Sequence, residues 1–224
     1  MQVPIGHPFS DADKENFTLL IKTLRNTLGK EKEISFAAGG FSEFLEKSIE
    51  WKKVTPLIDR IHVMSYDLVN RNSVFAGHHT PLYSNSFQKE SADNAIRFFD
   101  SLGLPRNKIV IGVACYARVY AKVPANNNGL NQPCAFQKFY AFKNYPQLLS
   151  AANGFNDFWD EEAKAPWSYN ATKKLYATYD NKRSVQLKTQ YAIDKKLAGI
   201  MFWELRQDLP RNGLLHTIYE TKSN

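Results

Sequence analysis

Apolar positions along this chain switch repeatedly between a helical rhythm and short alternating or continuous runs, and that succession predicts an α/β protein. Phe17, Leu20, Ile21, Leu24 and Leu28 share one helical face after Ser10 or Asp11, either of which can act as N-cap, and Gly29 closes the element. A short apolar strand at 34–38 ends in Gly39-Gly40, and 42–57 reads as a helix interrupted by Pro56. Ile61, Val63 and Ser65 then alternate with His62 and Met64 in the manner of a strand. Ser91 is placed to cap a helix with Ala92, Ala95, Ile96, Phe99 and Leu102 on one face, and Gly103 with Pro105 stops it. A strand over 109–118 follows at once. Helices alternating with strands in this way imply parallel pairing through right-handed crossovers.

Between 119 and 183 the alternation stops. Asn126-Asn127-Asn128-Gly129 marks a turn, aromatic residues are spread over short segments, and 174–180 carries the two-residue period of an antiparallel strand. The segment reads as a small inserted α+β unit. A helix from Ser184 to Lys195, with Val185, Tyr191 and Ala192 inward, restores the earlier pattern and leads into a strand over 197–204. A short helix from Leu214 to Tyr219 completes it. The predicted organisation is therefore one domain over 1–118 and 184–224, with 119–183 inserted. Residues 1–10 read as a loop. So does the stretch 68–90, whose composition turns to Asn, Ser, His, Gly and Pro and which is long enough to form the wall of a site. Its His78 and His79 read as surface loop residues rather than metal ligands.

Composition changes this picture little. The 224 residues carry a formal charge of +7, but Lys and Arg are scattered, which favours solubility over nucleic-acid binding. Gly39-Gly40 lacks the lysine and serine or threonine of a phosphate loop. Two cysteines, Cys115 and Cys134, are too few for a disulfide scaffold or a zinc site. No metal or other cofactor is expected. No apolar run is long enough to cross a bilayer, and the N-terminus shows no export signal.

Candidate chemistry gathers at the carboxyl ends of three predicted strands, where parallel α/β proteins place their sites. The first supplies Met64, Tyr66 and Asp67, the second Tyr116 and Arg118, the third Met201 and Trp203. Glu204 follows Trp203, and alternation turns it from the side that Trp203 faces.

Met-x-Tyr-Asp, Gly-Val-x-x-Tyr-x-Arg and Gly-x-Met-x-Trp-Glu, in this order, resemble the last three barrel strands of family 18 glycoside hydrolases, the chitinase family. Trp159-Asp160-Glu161-Glu162-Ala163-Lys164-Ala165-Pro166 resembles a Trp-Asp-x-x-Ala-x-x-Pro run in the family's insertion. The resemblance implies a partial (β/α)8 TIM barrel, strands five to eight, carrying a small inserted α+β domain. Eight strands close a barrel, so four leave two open sheet edges, and the isolated chain is expected to be marginal, aggregating or pairing through them.

By the same resemblance the chain is a chitinase-like hydrolase, or the carboxyl part of one, acting on β-1,4-linked N-acetylglucosamine polymers by a retaining, substrate-assisted mechanism. Chitin or its oligosaccharides would be the partner, with neither nucleic acid nor membrane, and the location secreted or periplasmic. Tyr66 would hydrogen-bond the substrate acetamide and Asp67 would shape the polar network around the acid. Trp203 would be the floor under the reacting sugar, and Met64, Tyr116, Arg118 and Met201 the walls. Ala117 stands where the family usually has glycine, narrowing the space there. The family's acidic signature, Asp-x-x-Asp-x-Asp-x-Glu, is absent, and 157–162 echoes it only at the wrong spacing. Its glutamate is the general acid, so the chain alone is expected to turn over poorly or not at all. The alternative is a chitinase-like protein that binds oligosaccharides without cleaving them.

Overall fold

The computed structural model describes residues 8–223, so the part of the expected N-terminal loop before Pro8 lies outside the described residues. Helix α1 (Asp13–Leu28) starts after Ala12, which offers no side-chain cap; Ser10 helps from further back, its Oγ and N–H donating to the Asp13 carboxylate at 3.0 Å each. Of its predicted apolar face only Ile21 is fully buried and Phe17 partly, whereas Leu20, Leu24 and Leu28 are exposed, because nothing among the described residues covers that stripe.

Strand β1 (Ser35–Gly39) follows. The helix expected over 42–57 is instead two, α2 (Ser42–Lys47) and α3 (Trp51–Val54), with a short 3-10 turn through Pro56. The break is stabilised by the Trp51 indole, which donates to the Leu45 carbonyl at 2.6 Å and so satisfies one of the acceptors that the end of α2 leaves open. Strand β2 (Arg60–Met64) pairs with β1 in parallel. The stretch 68–90 contains no helix or strand, only an isolated bridge from Phe75 to Pro133. Helix α4 (Ala92–Ser101) is capped as expected, Ser91 Oγ accepting from the Asn94 N–H, and it buries Ala92, Ala95, Ile96 and Phe99.

The single strand expected over 109–118 is two strands in two sheets. Strand β3 (Ile109–Ala114) lies in the parallel sheet; β4 (Tyr116–Ala121) begins an antiparallel one. Cys115 is the join: its N–H donates to the Trp203 carbonyl at 2.8 Å, and its own carbonyl accepts from the Phe142 N–H at 2.9 Å. The antiparallel sheet continues with β5 (Ala135–Ala141), a short helix α5 (Tyr145–Leu148), β6 (Asn156–Asp160), β7 (Ala165–Asn170) and β8 (Leu175–Thr178), in the order β5-β4-β8-β7-β6. Helix α6 (Lys182–Asp194) opens on a capping box formed by Asn181 and Ser184, and Val185, Tyr191 and Ala192 are buried as their spacing predicts. Strand β9 (Gly199–Trp203) and helix α7 (Leu214–Ser223) follow.

Among the described residues the parallel sheet has the order β1-β2-β3-β9, so β1 and β9 each pair there on one side only. Its main core packs Ile61, Val63, Ile109 and Ile111 against Leu45, Trp51, Ile96 and Phe99, each burial contributing about 1.5–3 kcal/mol. A fully buried ion pair ties the units together. Lys188 Nζ of α6 reaches both Asp180 oxygens at 2.7 and 2.8 Å and the Thr80 carbonyl at 2.6 Å. Asp180 also accepts from the Ala114 N–H at the end of β3, from Thr80 Oγ1 and from Ser184 Oγ.

Candidate functional site

The site forms where β2, β3 and β9 end. Register places Gly112 opposite Met201 and Ala114 opposite Trp203, and alternation then sends Met201 and Trp203 to one face. Beyond Met64, Ser65 extends the β2–β3 ladder with its side chain: Oγ donates to the Gly112 carbonyl and accepts its N–H, both at 2.9 Å. That arrangement lets the chain turn so that Tyr66 folds back across the sheet. A Cβ on Gly112 would lie 2.7 Å from the Tyr66 ring and 3.0 Å from Met201 Cε. Glycine is therefore what lets the phenol and the thioether close over β3.

Tyr66, Tyr116 and Ala114 form a buried cluster with Met64 and Met201 against it, and the two phenol rings meet edge-on with centroids 6.3 Å apart. Asp67 follows at φ 58°, a left-handed conformation that aspartate tolerates better than most residues. Its Oδ1 accepts from the Tyr116 hydroxyl at 2.7 Å and from Arg118 Nε at 2.5 Å. Arg118 itself lies 5.8 Å above the Tyr116 ring and 5.6 Å from that of Phe136. His79, wholly buried, brings Nδ1 within 3.4 Å of the Asp67 N–H, which donates to it, and within 3.6 Å of Oδ1. His79 Nε2 has no partner among the described residues.

These contacts set the charges. Burial pushes the Asp67 carboxyl upward, but the charged hydrogen bond from the Arg118 guanidinium outweighs it and holds the carboxyl well below the ordinary carboxylate range. Burial, reinforced by the Asp67 charge, raises both Tyr66 and Tyr116 far above the usual phenol value, so both remain hydrogen-bond donors at any physiological pH. For Arg118 burial works the other way and is overcome by Asp67, which keeps the guanidinium charged. Burial depresses His79 despite the nearby carboxylate, which leaves its ring neutral at pH 7. The site thus offers one ionised carboxylate, one guanidinium and two obligate phenol donors.

Six of the seven residues marked in the sequence, Met64, Tyr66, Asp67, Tyr116, Arg118 and Met201, come together here. Trp203 stands on the same face as Met201 and is 56% exposed, presented to solvent rather than packed. Glu204, joined to it by a cis peptide, is half-exposed. Gly112, the first residue of the Gly-Val-x-x-Tyr-x-Arg motif, belongs to the site as well, and so do Ser65 and His79, which carry no strand-end signature. The reading of His78 and His79 as surface residues is corrected. Both are buried: His78 Nε2 lies 3.0 Å from Asp160 and the His79 N–H donates to Thr178 Oγ1 at 3.0 Å, so the pair pins the long loop to the antiparallel sheet. Asp160 and Asp157 are likewise taken up in structure, the latter by Ser168 and Tyr179.

Both cysteines are free, and burial pushes the Cys115 thiol up to about 12 and that of Cys134 to about 11. Among the described residues no three metal-ligating side chains converge. A cavity of about 1050 Å³ opens between the segment from Leu205 to Asn212 and α7, but it contains none of the site residues.

Residues 2–208 match the model of glycosyl hydrolases family 18. Chitinase A1 of Niallia circulans is 30% identical over 91% of this chain and 32% of its own length. Chitinase 2 of Yersinia entomophaga is 34% identical over 91% of this chain and 36% of its own length. The chain thus spans about a third of the length of these curated relatives. A solved family 18 N-acetylglucosaminidase from Paenibacillus barengoltzii superposes with a TM-score of 0.88 at 32% identity, covering 96% of this chain and 65% of that one.

Proposed function

This chain belongs to family 18 of the glycosyl hydrolases, and on that premise we propose that its strand-end site binds β-1,4-linked N-acetylglucosamine. The observation that carries this reading is the convergence of Tyr66, Asp67, Tyr116 and Arg118 beside an exposed Trp203. The four parallel strands correspond, in this proposal, to strands five to eight of a (β/α)8 barrel, with 119–183 inserted between the last two. Sheet order that follows chain order, with β1 and β9 open among the described residues, supports it. Those edges are where a second copy, or further strands of a longer protein, would pair.

In the mechanism we assign, the acetamide oxygen of the bound sugar attacks its own anomeric carbon and the configuration is retained. Tyr66 donates to that oxygen, which fits a phenol that burial keeps protonated. Asp67 shapes the polar network in which the leaving group takes up its proton. The indole of Trp203 supports the apolar face of the reacting ring, while Met64, Met201, Tyr116 and Arg118 close the sides. The acidic signature does not occur in the sequence, so the general acid is proposed to come from outside this chain. Positioned acid catalysis contributes about 10²- to 10⁴-fold, and without it the chain binds but does not turn over at a useful rate. That same absence favours a second reading, a binding protein with no hydrolytic step. In either case we place the protein outside the cytoplasm; among the described residues no helix is long and apolar enough to cross a membrane.

Tryptophan fluorescence tests the reading. Trp51 and Trp167 are buried, Trp159 is half-buried with the Arg183 guanidinium 3.9 Å from its ring, and Trp203 is exposed, so chitin oligosaccharides should change an emission that the Trp203→Ala variant no longer shows. Affinity should fall at least tenfold in that variant, about 1.4 kcal/mol. An unchanged spectrum at millimolar oligosaccharide would reject carbohydrate binding at this site.

A further inference from the structure

An irregularity in the antiparallel sheet presents a second aromatic surface to the site. Strands β4 and β5 pair with Tyr116 opposite Ala141 and Arg118 opposite Phe139. Between Val119 and Tyr120 the register slips: Val119 faces Lys138, but Tyr120 faces Phe136, and Gln137 is left without a partner. Directly opposed residues in an antiparallel pair point to the same face. In a regular strand Phe136 and Phe139, three residues apart, would point to opposite faces. The extra residue brings both to the face of Arg118, which is how bulges re-aim side chains beside functional sites.

Contacts on the two faces agree with this. Phe136 is half-buried with the Arg118 guanidinium 5.6 Å from its ring, whereas Tyr140 and Val119 pack on the other side with Ala117. Phe139 is 60% exposed. Its ring adds nothing to either core, and its cross-strand partner is the arginine that holds Asp67.

We propose that Phe139 is a sugar-stacking residue, receiving the apolar face of a pyranose beyond the first two units of an oligosaccharide whose first unit lies over Trp203 and against Tyr66. This assignment rests on the carbohydrate reading above and adds to it a preference for longer chains. An aromatic ring suits this role because its face is apolar and it loses little conformational freedom on binding.

Isothermal titration of the whole chain with N-acetylglucosamine oligomers of about two to five units tests it, using wild type, Phe139→Ala, Phe139→Trp and Trp203→Ala. Phe139→Ala should weaken the longest oligomers about three- to tenfold, leave the dimer unchanged, and be rescued by Phe139→Trp. The position is exposed, so melting temperatures should match wild type. Equal losses at every length, or none at any length while Trp203→Ala still abolishes binding, would overturn the assignment of Phe139 and leave the carbohydrate reading standing. A wild-type chain that binds no oligomer overturns both.

Discussion

Two aspartates in this molecule each meet a cation and a hydroxyl, and they do opposite work. Asp180 is wholly buried and both of its oxygens are saturated, by Lys188, Thr80, Ser184 and the Ala114 N–H. Asp67 takes Tyr116, Arg118 and the approach of His79 on Oδ1 alone, and 37% of its side chain remains exposed. A carboxylate with every lone pair engaged is a fastening. One with a free edge facing solvent, its charge fixed by neighbours on the other edge, is ready for a ligand.

The comparison is broken most severely at Asp180. Lys188→Met removes the cation but leaves a buried carboxylate among three remaining donors, and loss of one partner from such a pair costs about 3–5 kcal/mol. For a chain of this size that is on the order of 10 °C in melting temperature. Lys188 joins Asp180 to the Thr80 loop and, through Ala114, to the end of β3, so oligosaccharide binding should fall along with stability. A variant that melts within a degree or two of wild type would show that the pair fastens nothing.

At Asp67 the same operation should separate stability from binding. Arg118→Met removes one charged hydrogen bond from a carboxylate that water already reaches, so solvent screening limits the stability loss to about 1 kcal/mol. Binding should suffer more, by about tenfold, because the free edge of Asp67 loses its fixed orientation and Phe136 its cation. Thermal melts paired with titrations check this. Equal losses in both quantities would make Asp67 a second fastening and remove the distinction.

How far the sequence could foresee these regions differs in the same way. The strand-end motifs located Tyr66, Tyr116 and Trp203, the cap at Ser91 located α4, and the spacing of Val185, Tyr191 and Ala192 located α6, because alternation, capping and helical period are local signals. The passage from β3 to β4 at Cys115 was invisible: residues 109–117 are buried without interruption, and a pattern that reports burial says nothing about which sheet does the burying. Asp180 and Lys188 look like an ordinary charged stretch until α6 turns one inward, and only the loop carrying Thr80 completes the network. His79 had no signal either, since its burial depends on Thr178 and Tyr116, far away in the chain. The stripe on α1 failed in the other direction, being legible as apolar yet uncovered among the described residues.

The finest test of the comparison is acidity, which reaches the Asp67 side of it through His79. His79 sits beside Asp67 with its pKa lowered in the folded protein by burial, while in the unfolded chain it titrates near about 6.5. Between those values the unfolded chain holds a proton that the folded one does not, so stability is complete above about pH 6.5 and declines as pH falls below it. Asp67 acts lower down: its folded pKa is depressed, so its contribution persists above about 3.9 and is lost as pH drops further. His62, also depressed by burial, adds to the upper decline. Wild type should therefore lose stability between pH 7 and 5 by no more than about 1.4 kcal/mol per pH unit for each histidine, before any carboxylate protonates. His79→Asn keeps an acceptor for the Asp67 N–H and should flatten that upper limb in part, leaving the drop below pH 4 in place. Urea midpoints measured across this range decide it, and identical limbs in wild type and His79→Asn would detach His79 from the site's charge balance.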